Sequence, residues 1–184
     1  TFYCDYVKIE GDTSVAHNLY ITGDYNYVYG GNYDDTVQVM GSRNYVYGNA
    51  GNDTLLASGT SSQISYNYLY GGAGDDTLTG GNLTYLYGEA GNDTLNGNSY
   101  NPTMSGGDGN DILNISGTQG GSSYKYSGGN GDDIFNIYTT TSIKPNGDAD
   151  NDTFNVYSSS GCGVYGLCAF ILCYDGGKKK TLLK

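Results

Sequence analysis

Apolar and polar residues alternate with a period of two along most of this chain, and glycine-rich turns cut the alternation into short pieces. One set of pieces reads Asn26-Tyr27-Val28-Tyr29, Asn44-Tyr45-Val46-Tyr47, Asn67-Tyr68-Leu69-Tyr70 and Thr84-Tyr85-Leu86-Tyr87. A turn follows each, then a second strand-like piece centred on Val37, Leu55, Leu78 or Leu95, and later on Leu113, Phe135 and Phe154. A period of two puts these seven residues inside together with Val28, Val46, Leu69 and Leu86. The tyrosines then face outward in two rows, Tyr27, Tyr45, Tyr68, Tyr85 and Tyr29, Tyr47, Tyr70, Tyr87. The rows stop where Thr103, Ser105, Lys125 and Ser127 take those places. Such a face either steadies its own sheet by aromatic stacking or serves as a surface for sugars, another copy or a solid. The opposite face carries Thr36, Thr54, Thr77, Thr94 and Thr153, a ladder that Ile112 and Ile134 interrupt. The interruptions disfavour ice binding.

The turns repeat as regularly as the strands. Gly71-Gly72-Ala73-Gly74-Asp75-Asp76-Thr77-Leu78-Thr79 fits the nine-residue pattern G-G-x-G-x-D-x-U-x, with U a large apolar residue. Its glycines can take positive φ, and Asp76 adds a carboxylate to an oxygen-rich concavity that suits a hard cation. Looser copies begin at Gly30, Gly48, Gly88, Gly106, Gly128 and Gly147. Their sixth-position aspartates are Asp35, Asp53, Asp76, Asp93, Asp111, Asp133 and Asp152, separated by 18, 23, 17, 18, 22 and 19 residues. That is about two nonapeptides per step. Only every second turn therefore has cation chemistry; those between, such as Gly41-Ser42-Arg43-Asn44, are merely polar. A coil of about 18 residues with two strands and two turns predicts an all-β, flattened right-handed parallel β-roll of about seven coils.

In these motifs the chain resembles the RTX family of secreted calcium-binding repeats, over roughly Gly30 to Asn155. The resemblance implies Ca²⁺ between same-side turns of successive coils, held by the seven aspartates and by turn carbonyls. Carried over by position, those carbonyls belong to Gly30, Gly48, Gly71, Gly88, Gly106 and Gly128, and to Asn32, Ala50, Ala73, Ala90, Asp108 and Asn130. Seven ligand turns on one edge imply about six inter-coil sites.

Composition narrows the rest. With 31 Gly, 21 Tyr and no Trp in 184 residues, the chain is too biased for an ordinary globular domain. A net charge of −11 excludes a nucleic-acid partner, which would need a basic face. Six Ca²⁺ would nearly cancel that charge. No apolar run is long enough for a transmembrane segment. Calcium-dependent folding points to a secreted, extracellular protein, from a bacterial source, and Thr1-Phe2-Tyr3-Cys4 has no leader pattern of its own.

Residues 1–22 depart from the repeat and are expected to cap the roll spanning 23–157; residues 158–184 form an apolar, cysteine-containing C-terminal cap with a basic tail. Cys4, Cys162, Cys168 and Cys173 are disulfide candidates, since zinc would lack a fourth ligand among the C-terminal three. His17, the only histidine, is expected to sit at the surface or in the cap, and no nucleophile and acid accompany it, so an enzyme is not expected. Two functions remain. One is a calcium-assembled structural protein associating with itself head to tail as a filament or matrix subunit, with Cys4 linking successive copies. The other is a calcium-dependent binding or secretion module of a larger adhesin or exoenzyme, directed at an extracellular polysaccharide or surface.

Overall fold

The computed structural model describes residues 1–58, 66–98, 103–116, 125–138, 143–158, 170–175 and 178–182. Its strands begin with β1 (Phe2–Tyr3), β2 (Lys8–Glu10), β3 (Asn18–Thr22), β4 (Tyr27–Gly31), β5 (Thr36–Met40) and β6 (Tyr45–Ala50). The central coils hold β7 (Thr54–Ser58), β8 (Tyr68–Ala73), β9 (Thr77–Gly80), β10 (Tyr85–Ala90), β11 (Thr94–Asn98), β12 (Thr103–Asp108) and β13 (Ile112–Ser116). After them come β14 (Lys125–Asn130), β15 (Ile134–Tyr138), β16 (Pro145–Asp148), β17 (Thr153–Ser158), β18 (Phe170–Asp175) and β19 (Lys178–Leu182).

Even-numbered strands β2 to β16 form one parallel sheet of eight strands, and odd-numbered strands β1 to β17 form the other, which β18 and β19 extend to eleven. Each coil contributes one strand to each sheet, so the chain is an all-β parallel solenoid. Register is strict: Tyr45 pairs with Tyr27 and Tyr68, and Leu78 with Leu55 and Leu95. The alternation explains why. A slip of one residue would turn every apolar side chain out to water.

The core lies between the sheets. Val28, Val46, Leu69, Leu86 and Met104 from the even strands meet Val37, Leu55, Leu78, Leu95, Leu113 and Phe135 from the odd ones, all with no exposed surface. A second inward row of the odd strands, Val39, Ala57, Ile115, Ile137 and Val156, is buried beside the first. Tyr126, unlike the other ladder-strand tyrosines, lies in the inward register after Met104 and is buried. Phe135 and Phe154 stack at 4.6 Å, thickening the core toward the C-terminal end.

The first 22 residues continue the sheets as well as ending them. β2 pairs with β4 and β3 with β5 in the same parallel register as the repeats, so residues 8–22 make one further coil. At the other end β18 follows β17 in parallel, and β19 then pairs with β18 antiparallel, breaking the solenoid pattern. Cys162 and Cys168 lie outside the described residues, and Cys173 is placed only as part of β18. Cys4 is a free thiol, partly buried against the core.

Candidate metal centre

From β4 onward, each turn from an even strand to the next odd strand ends in a sixth-position aspartate, and the roll stacks these side chains in one buried column. Asp35, Asp53, Asp76, Asp93, Asp111 and Asp133 are each 1 % exposed. Every coil bonds to the next in the same way: the Asp35 N–H donates to Asp53 Oδ1 (2.7 Å), and the pattern runs on through Asp76, Asp93, Asp111, Asp133 and Asp152. One carboxylate oxygen is thus used. The other, Oδ2, is buried without a hydrogen-bond partner in Asp35, Asp53, Asp76, Asp93, Asp111 and Asp133. Leaving a charged oxygen dry and unpaired is among the costlier arrangements a protein can adopt.

The orphaned oxygens face more oxygen. A methyl group built on Gly30 would lie 2.5 Å from Asp35 Oδ2 and 2.8 Å from the Gly48 carbonyl of the next coil. The same pair of a same-coil Oδ2 and a next-coil carbonyl crowds Gly48, Gly71, Gly88 and Gly106. First-position glycines are therefore required for space and not for backbone conformation, since positive φ belongs to the second and fourth positions, as in Gly72 (118°) and Gly74 (127°). This refines the sequence expectation, which gave all the turn glycines the same reason. Third-position carbonyls serve the backbone too: Ala73, Ala90, Asp108 and Asn130 accept from Gly51, Gly74, Gly91 and Gly109, each with a second lone pair left over. Asn32 and Ala50 occupy the same turn position in the first two repeats.

Two other columns act as internal controls. On the opposite edge Asn26, Asn44 and Asn67 are fully buried in an equivalent ladder, with Asn26 N–H donating to Asn44 Oδ1 and Asn44 N–H to Asn67 Oδ1. There the amide nitrogen occupies the second position and donates to a glycine or cysteine carbonyl: Asn26 to Cys4, Asn44 to Gly23, Asn67 to Gly41. The asparagine edge is closed by neutral hydrogen bonds. The aspartate edge places an oxygen where a donor belongs, so a proton on the carboxyl or a bound cation is needed to complete it. Fifth-position residues form a third, exposed column in which no two successive coils both carry a carboxylate: Asp34, Asn52, Asp75, Asn92, Asn110, Asp132, Asn151. Solvent-facing charges are spaced apart there, while the buried column is acidic at every step.

Electrostatics agree. Burial pushes the carboxyls of Asp53, Asp93 and Asp111 up to about 6, and of Asp76 and Asp133 up to about 7, with neighbouring aspartates adding to the rise. Among the described residues no three His, Cys, Asp or Glu side chains converge, so a site here draws on carboxylates of successive coils and backbone carbonyls. An all-oxygen donor set of carboxylates and carbonyls is calcium chemistry.

The column ends at His17, which sequence reasoning left without a role in it. His17 sits one coil before Asp35 at the sixth-position register; its N–H donates to Asp35 Oδ1 (2.6 Å), and its Nδ1 lies 3.1 Å from the same oxygen. The Asp12 N–H donates to Nε2 (3.0 Å), which leaves Nδ1 as the protonated nitrogen of a neutral ring. An imidazole N–H thus closes the row. The 18-residue step back from Asp35, and Gly11 six places earlier, were the available signals.

The eight ladder tyrosines all face outward, in two stacks with ring centroids 4.5–4.9 Å apart and planes within 10°. Stacking occupies the ring faces within the ladder and leaves edges and phenol groups to solvent. No helix is long and apolar enough to cross a membrane among the described residues. A sequence model of the RTX calcium-binding nonapeptide repeat matches in four copies, over residues 27–60, 66–82 and 86–114. No curated protein and no solved structure matches the chain.

Proposed function

The chain carries RTX calcium-binding nonapeptide repeats, and on that premise we propose that its aspartate column holds about six Ca²⁺, one between each pair of successive ligand turns from Asp35 to Asp152. The observation that carries the reading is the set of six buried, unpartnered Oδ2 atoms, one for each proposed site. Bound calcium supplies the positive charge that these oxygens and the first-position carbonyls lack. Asp53, Asp76, Asp93, Asp111 and Asp133 are each shared by two sites, which makes binding and folding one process. Circular dichroism tests this directly: the calcium-free chain at neutral pH is expected to lose its β signal and regain it with millimolar calcium but not magnesium. An identical spectrum in all three conditions refutes it.

Sites built from one shared carboxylate per coil and neutral carbonyls suit the millimolar calcium found outside cells, which supports a secreted structural role. Self-association has one specific support. Among the described residues the eight-stranded sheet ends on β2 and β16 with unpaired edges, and a second copy joining them end to end would make a filament. The antiparallel β18–β19 pair, with Lys178, Lys179 and Lys180 on its edge strand, counts against growth through the other sheet. Partial burial of Cys4 gives no support to a covalent link there. Calcium-dependent light scattering, with electron microscopy of the product, separates a filament subunit from a monomeric module.

A further inference from the structure

The two ends of the tyrosine ladder differ. At the N-terminal end Lys8 pairs in register with Tyr27, and its ammonium stands 5.1 Å from the Tyr29 ring centroid while bridging to Glu10. A cation thus covers the Tyr29 stack at that end, while Tyr27 beside it is 45 % exposed. At the other end Tyr85 and Tyr87 are followed in register by Thr103 and Ser105. Neither short side chain can reach across a tyrosine ring. The stacks run along the solenoid axis, so the outer faces of Tyr85 and Tyr87 look over Thr103 and Ser105, and no ring or cation of a described residue lies against them. The sheet surface therefore drops from a tyrosine terrace to a low one, and the riser is two aromatic faces side by side, roughly 7 Å apart as i and i+2 on one strand.

Polar groups surround this step. Glu89, past Tyr87 at φ 80°, turns back toward Tyr47 and Tyr70 and stays off the step. On the floor the Thr103 and Ser105 hydroxyls are unengaged among the described residues, while Ser127 of the next coil is held by Asp148. Lys125 stands exposed beside Thr103 in register, about 10 Å from the riser at two strand spacings.

We propose that this step is a binding subsite for a neutral oligosaccharide. A pyranose ring offers an apolar C–H face to an aromatic face and hydroxyls around its rim, and the step offers the matching set: Tyr85 and Tyr87 as the wall and the Thr103 and Ser105 hydroxyls on the floor. The four residues of the step, Tyr85, Tyr87, Thr103 and Ser105, are all uncharged, so the site selects no net charge. Within the ladder the ring faces are used up, so the subsite is confined to its end and is not spread over the whole tyrosine face. The inference needs only the folded roll, and it stands or falls separately from the calcium assignment.

The test uses the full chain, folded in calcium as verified by circular dichroism, titrated calorimetrically with cellohexaose, chitohexaose and laminarihexaose, and with hexa-arginine as the cationic alternative. At least one hexasaccharide is expected to bind saturably. A Thr103→Lys, Ser105→Lys double variant, which copies the Lys8 cover, weakens that binding tenfold or more, whereas Tyr27→Ser at the far end leaves it within twofold. The proposal is overturned if no hexasaccharide binds at millimolar concentration, if the lysine pair leaves binding unchanged, or if hexa-arginine alone binds. A chain that does not fold in calcium fails the calcium assignment instead, and the same titrations then use the roll folded at low pH.

Discussion

Without a bound cation the buried aspartates are a burden on the fold, and pH sets the size of that burden. Folding raises Asp53, Asp93 and Asp111 from the ordinary 3.8 to about 6, and Asp76 and Asp133 to about 7. A carboxyl whose folded value lies above its unfolded one favours the folded state below the unfolded value, and that preference is lost as pH rises through the folded value. At about 1.4 kcal/mol per pH unit, Asp93 alone costs about 3 kcal/mol and Asp76 about 4 kcal/mol when ionised without a cation. Because neighbours titrate together the costs do not add simply, yet five such groups reach the ~5–15 kcal/mol that holds an ordinary domain together. The calcium-free roll is therefore expected to be folded near pH 4.5 and to lose stability steadily toward pH 7.5. Urea unfolding of chelator-resin-treated protein, followed by circular dichroism at pH 4.5, 6 and 7.5, reads the trend. The reasoning also demands that Asp76→Asn with Asp93→Asn flatten it. A calcium-free wild type as stable at pH 7.5 as at 4.5, or a double variant with an unchanged slope, refutes the account.

The asparagine edge predicts that Asp93→Asn, whose amide can donate to the Gly106 carbonyl as Asn44 does to Gly23, weakens the two calcium sites at that coil by tenfold or more while stabilising the calcium-free roll; Asp93→Ala should do the first only. Calorimetric calcium titration and urea melts distinguish the pair. Gly71→Ala, which puts a methyl into the Asp76–Gly88 cradle, should remove about one calcium per chain; Gly72→Ala, at φ 118°, should cost about 1 kcal/mol or more with the calcium count unchanged. Burial and the neighbouring phenols of Tyr87 and Tyr47 push Tyr70 up to about 12, so absorbance titration of the calcium-loaded roll should show a late phase above the ordinary value of 10 that disappears on unfolding. A single phase near 10 would contradict the stacked ladder.

Much of this was legible because a solenoid repeats its constraints. One apolar residue in each two-residue period fixed the inward set from Val28 to Phe154, and the outward tyrosines came with it. What escaped notice was what breaks or hides the pattern. Residues 8–22 form a coil, but His17 stands where the motif would show aspartate, so its spacing from Asp35 and the presence of Gly11 were its only traces in the sequence. Asn26, Asn44 and Asn67 were visible before each Tyr-x-Tyr, yet a polar residue at a turn reads as solvent-facing until the stacking buries it. The first-position glycines looked like turn formers, and their true reason, an oxygen from the next coil, lies 17–23 residues away in sequence.

The central claim is a line of cations along one edge, and anomalous diffraction from crystals grown in calcium or a lanthanide tests it most directly. The account predicts about six peaks in a row, spaced by roughly one strand separation of 4.8 Å, each between successive aspartates from Asp35 to Asp152 and none beside Asn26, Asn44 or Asn67. A folded roll with no peaks in that column, or with peaks on the asparagine edge, would contradict it.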